Sequence, residues 1–160
     1  MHTTPYRSEP DPITRRLLRI AGGMCMFLGV GHVVTVAIVT REAIASWFTT
    51  GLWSAVPLGV TGASAEVLSR TVAFWAGPAS FAVPLFMLGL LFVRLAGQGV
   101  RVPAVIGWVL AIWCLVCAVI LSPSPFYLGI VAGVLVIVAA SRRRTAVAAE
   151  QLVEATSARR

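Results

Sequence analysis

Cys114 and Cys117 form a C-x-x-C pair, the spacing used by thiol–disulfide oxidoreductases. Such pairs react when they lie at a helix N-terminus, where the helix dipole and solvent stabilise a thiolate. Here the pair lies in the middle of an apolar run, and two cysteines one turn apart on a regular helix are poorly placed to bond to each other. Packing as small apolar side chains is the favoured interpretation. A membrane thiol redox enzyme is a remote alternative.

His32 is a histidine inside an apolar run. Ionisable side chains in such runs generally face the interior of a helix bundle. Pro78 and Pro84 remove backbone donors further along the chain, which should leave the carbonyls of Phe74 and Ser80 without helical partners. The predicted polar site consists of His32, Phe74, Trp75 and Ser80. Its simplest role is a hydrogen bond that holds two helices together; a proton relay or a ligand contact is the alternative.

No metal, cofactor or catalytic centre is predicted. Cys25, the nearest candidate co-ligand for His32, lies two helical turns away, ~10 Å, which is too far to share one ion. The sequence also lacks a recognisable carboxylate pair, a nucleophile with a base, or a phosphate loop. We therefore expect a protein that is not an enzyme.

Long apolar runs must position these residues. No Asp, Glu, Lys or Arg occurs in Ile20 to Thr40, in Thr71 to Val93, or between Arg101 and Arg142. At 1.5 Å per residue, about twenty helical residues cross a ~30 Å hydrocarbon core, and the longest run can cross twice. The mean hydropathy is +0.89 and 12% of residues are charged, against ~25% in soluble domains. The sequence predicts an all-α, polytopic integral membrane protein with a four-helix transmembrane bundle.

The placement of arginine predicts the orientation. Eleven of the thirteen basic residues flank the runs on one side, and only Arg41 and Arg70 lie on the other. By the positive-inside rule, both termini are cytoplasmic in a bacterial inner membrane. The predicted boundaries are a cytoplasmic segment over 1–16, a membrane domain over 17–140 with spans at about 17–40, 71–94, 102–121 and 125–141 and an external loop over 41–70, and a cytoplasmic tail over 141–160.

The loop, the first run and the tail each allow more than one structural interpretation. Residues 43–65 are also uncharged, but a fifth span there would reverse the arginine asymmetry, so we expect an interfacial helix that carries Trp47 and Phe48. Trp53 adds a second aromatic anchor. The first run, followed by three more, behaves as an uncleaved anchor rather than as an export signal. The tail after Ser141 either continues the fourth helix or frays.

Small residues predict where helices pack. In the first run, Gly22, Gly29 and His32 share one helix face, which should meet the other helices. In the fourth run, Gly129 and Gly133 have the G-x-x-x-G spacing that lets a second backbone approach closely. Contact within the bundle is favoured over a homodimer face.

The expected partners follow from this setting. Arg142, Arg143 and Arg144 end the fourth run and should contact anionic lipid. Membrane lipids are the expected partners, and a second copy or another membrane protein is the alternative. A net charge of +7 would suggest nucleic acid in a soluble protein, but no basic groove with interleaved aromatics is present.

The favoured role is that of a structural or interaction protein, or of one that binds a lipid or small apolar molecule in an outer-facing cavity near His32, Trp75 and Pro78. A transporter or channel component is the alternative. Small four-span cation exporters rely on an intramembrane glutamate, and no acidic residue lies in the four predicted spans. Proton-coupled cation export is therefore disfavoured.

Short motifs recur in order along the chain. They are Arg15-Arg16-Leu17, Gly29-Val30-Gly31-His32, Ala73-Phe74-Trp75, Ser80-Phe81-Ala82-Val83-Pro84-Leu85 with Gly89, Pro103 with Gly107-Trp108, and Pro123-Ser124-Pro125-Phe126. In order and spacing they resemble the small bacterial four-span proteins grouped as domain-of-unknown-function family 6463, over about residues 15–140. The resemblance implies a helical inner-membrane protein and carries no activity over to any residue.

Overall fold

The computed structural model describes residues 11–51, 62–121 and 124–157, with backbone alone for 143–155. Every regular element in these ranges is a helix, so the all-α prediction is confirmed. The helices are α1 (Pro12–Val39), α2 (Arg41–Thr50), α3 (Ala65–Ala76), α4 (Ala82–Gln98), α5 (Ala104–Ile120) and α6 (Phe126–Ser157). The chain divides into two compact units, residues 1–25 with 89–160, and residues 26–88. The helices α1 and α4 contribute to both.

Helix α1 begins before the predicted start of the first span at residue 17. The Asp11 carboxylate accepts a hydrogen bond from the Ile13 amide at 3.1 Å, and Pro12 stands at the first helical position, where its missing amide costs nothing. The helix has 28 residues, or ~42 Å. It is long and apolar enough to cross a membrane, and it is the one described helix that meets both criteria.

The predicted second span, residues 71–94, is two helices in the structure. Helix α3 ends at Ala76, and Pro78 stands in the turn that follows. The Ser80 hydroxyl then accepts a hydrogen bond from the Ala82 amide at 3.2 Å and so caps α4. Pro84 falls in the first turn of α4, where a missing amide breaks no helical bond. Both prolines thus mark the end and the start of helices rather than kinks within one.

The predicted external loop, residues 41–70, is largely helical where it is described. Helix α2 occupies the segment expected to lie in the interface and carries Trp47 and Phe48. Helix α3 begins at Ala65, because the Ser64 hydroxyl accepts a hydrogen bond from the Val67 amide at 3.3 Å. The predicted anchor Trp53 lies outside the described residues.

Helices α5 and α6 pack as an antiparallel pair. The buried residues of α5 form one stripe of mostly small side chains: Gly107, Leu110, Cys114 and Ala118. The buried stripe of α6 is Gly129, Ala132, Gly133, Val136, Ala139 and Ala140. The Ser124 hydroxyl accepts a hydrogen bond from the Phe126 amide at 3.3 Å and so caps α6, whereas Ser122 and Pro123 lie outside the described residues.

Helix α6 continues through the predicted tail to Ser157, so the described part of this tail extends the helix. Three shorter apolar helical stretches accompany the long helix α1. They are Ala82–Gln98, Ala104–Ile120 and Tyr127–Arg142.

Candidate functional site

His32 caps the end of another helix. Its Nε2 lies 2.8 Å from the carbonyl oxygen of Ala76, the last residue of α3. Because a carbonyl can only accept, Nε2 carries the proton and donates it. Both residues belong to the unit formed by residues 26–88. The contact therefore joins the C-terminal third of α1 to the C-terminus of α3.

The acceptor of this bond differs from the predicted one. The Phe74 carbonyl, expected to be free, accepts from the Ala79 amide at 3.0 Å. The Ala76 carbonyl loses its helical partner instead, because the Ser80 amide donates to Gly77 at 3.1 Å rather than back to Ala76. The prediction of a histidine bonded to a freed carbonyl had the right chemistry but named the wrong carbonyls.

The remaining predicted site residues fall into two groups. The Ser80 hydroxyl is used within the turn, since it donates to the Gly77 carbonyl at 2.7 Å as well as capping α4. The Phe81 ring, which the sequence did not single out, lies 4.7 Å from the His32 ring, centroid to centroid. Phe74 packs instead on Trp75, at 5.4 Å and edge to face. Trp75 itself is 60% exposed.

An apolar groove runs along the same unit. Its volume is about 250 Å³, and it is lined by Gly29, Val30, Val33, Val34, Ala82, Val83 and Phe86. A Cβ at Gly29 would stand 2.6 Å from the Ala82 carbonyl oxygen, so the two backbones touch there. Four valines from α1 and α4 line the groove beside these two residues. None of the described residues that line the groove has a titratable or polar side chain.

The predicted packing glycines lie at close helix contacts where the structure resolves their surroundings. A Cβ at Gly22 would stand 2.6 Å from the Gly89 carbonyl oxygen. A Cβ at Gly133 would likewise stand 2.6 Å from the carbonyl oxygen of Gly107 on α5. The preference for a contact within the bundle over a homodimer face stays a prediction. Gly129 is buried one turn earlier on α6.

The other candidate residues are not gathered into a centre. Cys25, Cys114 and Cys117 are free thiols, and the C-x-x-C pair lies within the uninterrupted helix α5. Among the described residues, no group of three or more His, Cys, Asp or Glu side chains could hold a metal ion. Arg142 is exposed on α6, and the side chains of Arg143 and Arg144 lie outside the described part of the structure.

Comparison with known proteins gives a family and no activity. No curated protein and no solved structure matches the chain. The profile of one family matches residues 16–144, which cover most of α1, all of α2 to α5 and the apolar N-terminal part of α6. The chain belongs to the family of unknown function DUF6463.

Proposed function

We propose that this chain is a multi-pass protein of the bacterial inner membrane that holds the apolar chain of a lipid or of a similar small molecule. The groove along α1 and α4 is the observation that carries the binding role. Helices α1, α4, α5 and α6 cross the membrane in this proposal, and the C-terminal part of α3 enters its outer half. Both termini are cytoplasmic.

Exposed apolar side chains support the membrane location. Large hydrophobic residues are more than half exposed on each proposed crossing helix; examples are Phe27, Ile38, Met87, Val109, Val119 and Tyr127. Soluble monomers rarely expose contiguous apolar patches of this extent. Of the most apolar window of α1, 22% is buried, whereas the core helix of a soluble protein is mostly buried.

Helix lengths and arginine positions agree with the same proposal. A helix of 17 residues, the length of α4 and of α5, is ~26 Å long and lies at the short end of the spanning range. The arginine asymmetry directs both termini inward. Arg142 and its two neighbours would then lie at the cytoplasmic surface, where each arginine favours anionic lipid by ~1 kcal/mol.

The small volume and the apolar lining of the groove favour an apolar chain as the ligand. Pockets that bind drug-sized ligands have volumes of ~300–1,000 Å³, and a few polar groups in them orient the ligand. At about 250 Å³ and without a polar side chain, this groove is smaller and offers no orienting hydrogen bond from a side chain. An acyl chain needs none. In the proposed topology the groove lies in the outer half of the membrane, since His32 is thirteen residues, ~20 Å, beyond Arg19.

One observation favours a transporter as the second candidate. Transporters often carry interrupted helices whose free ends lie at the binding site. The α3–α4 break at residues 77–81 is such an interruption, and His32 bonds to its free carbonyl. We assign this bond a structural role, because it satisfies an acceptor that would otherwise be unpaired within the protein. Chemical labelling measures water access to His32. Access to water would favour the transporter, and its absence would favour the structural role of the bond.

A photoactivatable phospholipid with a diazirine in its acyl chain tests the lipid-binding role. We expect cross-links to concentrate on the peptides that contain Val30–Val34 and Ala82–Phe86. Val83→Trp fills the groove and should remove most of this labelling. Val109→Trp is the matched control, because Val109 is 63% exposed on α5 and does not line the groove.

Labelling spread evenly over all exposed apolar helices would contradict a lipid-binding role and leave ordinary solvation by lipid. If Val83→Trp leaves the labelling unchanged, the groove is not the site where the lipid binds. Native mass spectrometry from mild detergent then shows whether the lipid remains bound and whether one copy or several carry it.

A further inference from the structure

The hairpin of α2 and α3 buries a charge that it does not neutralise. Arg70 is 8% exposed, and its Nη1 donates to the Thr50 hydroxyl at 2.8 Å. That hydroxyl also bonds to the Ser46 carbonyl, and neither group is negative. A buried guanidinium is costly unless an anion pairs with it. The described hydrogen-bond partner of the Arg70 guanidinium is therefore neutral, although a buried guanidinium requires an anionic partner.

Two buried donors in this hairpin have no acceptor among the described residues. They are Nε of Arg70 and Nε1 of Trp47. Trp47 and Thr50 share a face of α2, and Arg70 and Phe74 share a face of α3. Because Arg70 contacts Thr50 and the Phe74 ring lies 6.4 Å from the Trp47 ring, both donors belong to the same helix–helix interface.

The missing negative charge is not supplied by the hairpin. Glu42 on α2 and Glu66 on α3 are exposed. The connecting residues 52–61 contain no Asp or Glu in their sequence. Both unpaired groups are donors, so the ligand presents acceptors. The guanidinium fork matches phosphate oxygens in two-point geometry, and an indole N–H adds a third donor.

We propose that Arg70 and Trp47 bind the phosphodiester group of a membrane phospholipid. Arg70 immediately precedes Thr71, where the second apolar run begins, so a headgroup and not an acyl chain is expected at its level. The assignment of the phosphate to a lipid rests on the membrane location proposed above. The phosphate site itself rests on the unpaired donors alone.

Titration of delipidated protein in mild detergent, followed by native mass spectrometry, tests this site. The probes are phosphatidylglycerol, diacylglycerol with the same chains, and inorganic phosphate. Arg70→Met should weaken phosphatidylglycerol binding about tenfold or more, as expected for lost charge-assisted hydrogen bonds. Trp47→Phe keeps the ring and should weaken binding about threefold to tenfold. Arg41→Met, at an exposed arginine of the same hairpin, should change binding less than about twofold.

Equal phosphatidylglycerol affinity in wild type and in a folded Arg70→Met variant overturns the phosphate site. If Arg70→Met does not fold, unchanged affinity in both Arg70→Lys and Trp47→Phe overturns it equally. Inorganic phosphate that binds as tightly as the phospholipid overturns the lipid assignment. Diacylglycerol reports on the apolar groove alone, so its failure to bind counts against the groove and not against the phosphate site.

Discussion

Gly107 of α5 and Gly133 of α6 oppose each other so closely that neither tolerates a side chain without movement. A Cβ on either residue would stand 2.6 Å from the carbonyl oxygen of the other. Backbones that meet in this way gain dispersion contacts along both helices. In the proposed membrane location, burial of apolar surface would no longer drive helices together, and such contacts would hold the pair.

Gly133→Ala and Gly107→Ala should each lower the free energy of unfolding by about 1–3 kcal/mol, the usual cost of overpacking a tight contact. Circular dichroism during thermal unfolding in mild detergent measures the change. Gly97→Ala is the control, because a Cβ at Gly97 meets nothing within 4 Å. It should be neutral or slightly stabilising. Equal stability of all three variants would contradict a tight Gly107–Gly133 contact.

His32→Leu should lower the free energy of unfolding by about 0.6–2 kcal/mol, the range for hydrogen bonds between membrane helices, because it leaves the Ala76 carbonyl unpaired. His32→Gln keeps a donor and should retain most of the stability. The same thermal unfolding experiment compares them. If Gln is as damaging as Leu, and only the wild type changes conformation between pH 5 and 8, the imidazole acts by titration and not as a cap.

Most helix positions could be predicted from the sequence because their signals are local. Uncharged runs of about twenty residues indicate where the long helices lie. The break at residues 77–81 was missed because apolar residues continue through it. Pro78 and Pro84 predict unpaired carbonyls at Phe74 and Ser80 within a single span. In the structure the Ser80 hydroxyl caps a second helix, which begins at Ala82.

The site was predictable only in part. The placement of His32 on a packing face follows from helical spacing with Gly29. The acceptor of its hydrogen bond does not follow from the spacing, because the Ala76 carbonyl becomes free only when α3 ends there. The burial of Arg70 depends likewise on α2 folding against α3. Residue types alone do not identify Ala76 as the acceptor for His32 or Thr50 as the acceptor for Arg70.

Cys114 and Cys117 should both be reduced in protein isolated with rapid acid quenching, because they lie within an unbroken helix. Mass spectrometry after alkylation of the quenched protein measures this. Cys117→Ala should unfold like the wild type, whereas Cys114→Ala should cost about 1 kcal/mol, because Cys114 is fully buried. A Cys114–Cys117 disulfide in the quenched protein would favour the redox enzyme instead.

Alkaline phosphatase fusions should report the proposed topology. The enzyme is active only where its disulfides form, outside the inner membrane. A fusion within residues 50–65 should therefore be active, and fusions after Gly97 or Arg144 should be inactive, because the arginine asymmetry keeps those positions in the cytoplasm. Equal expression of the three fusions, checked by immunoblot, is the necessary control. Activity after Arg144 would require an odd number of crossings and would contradict the four-helix membrane proposal.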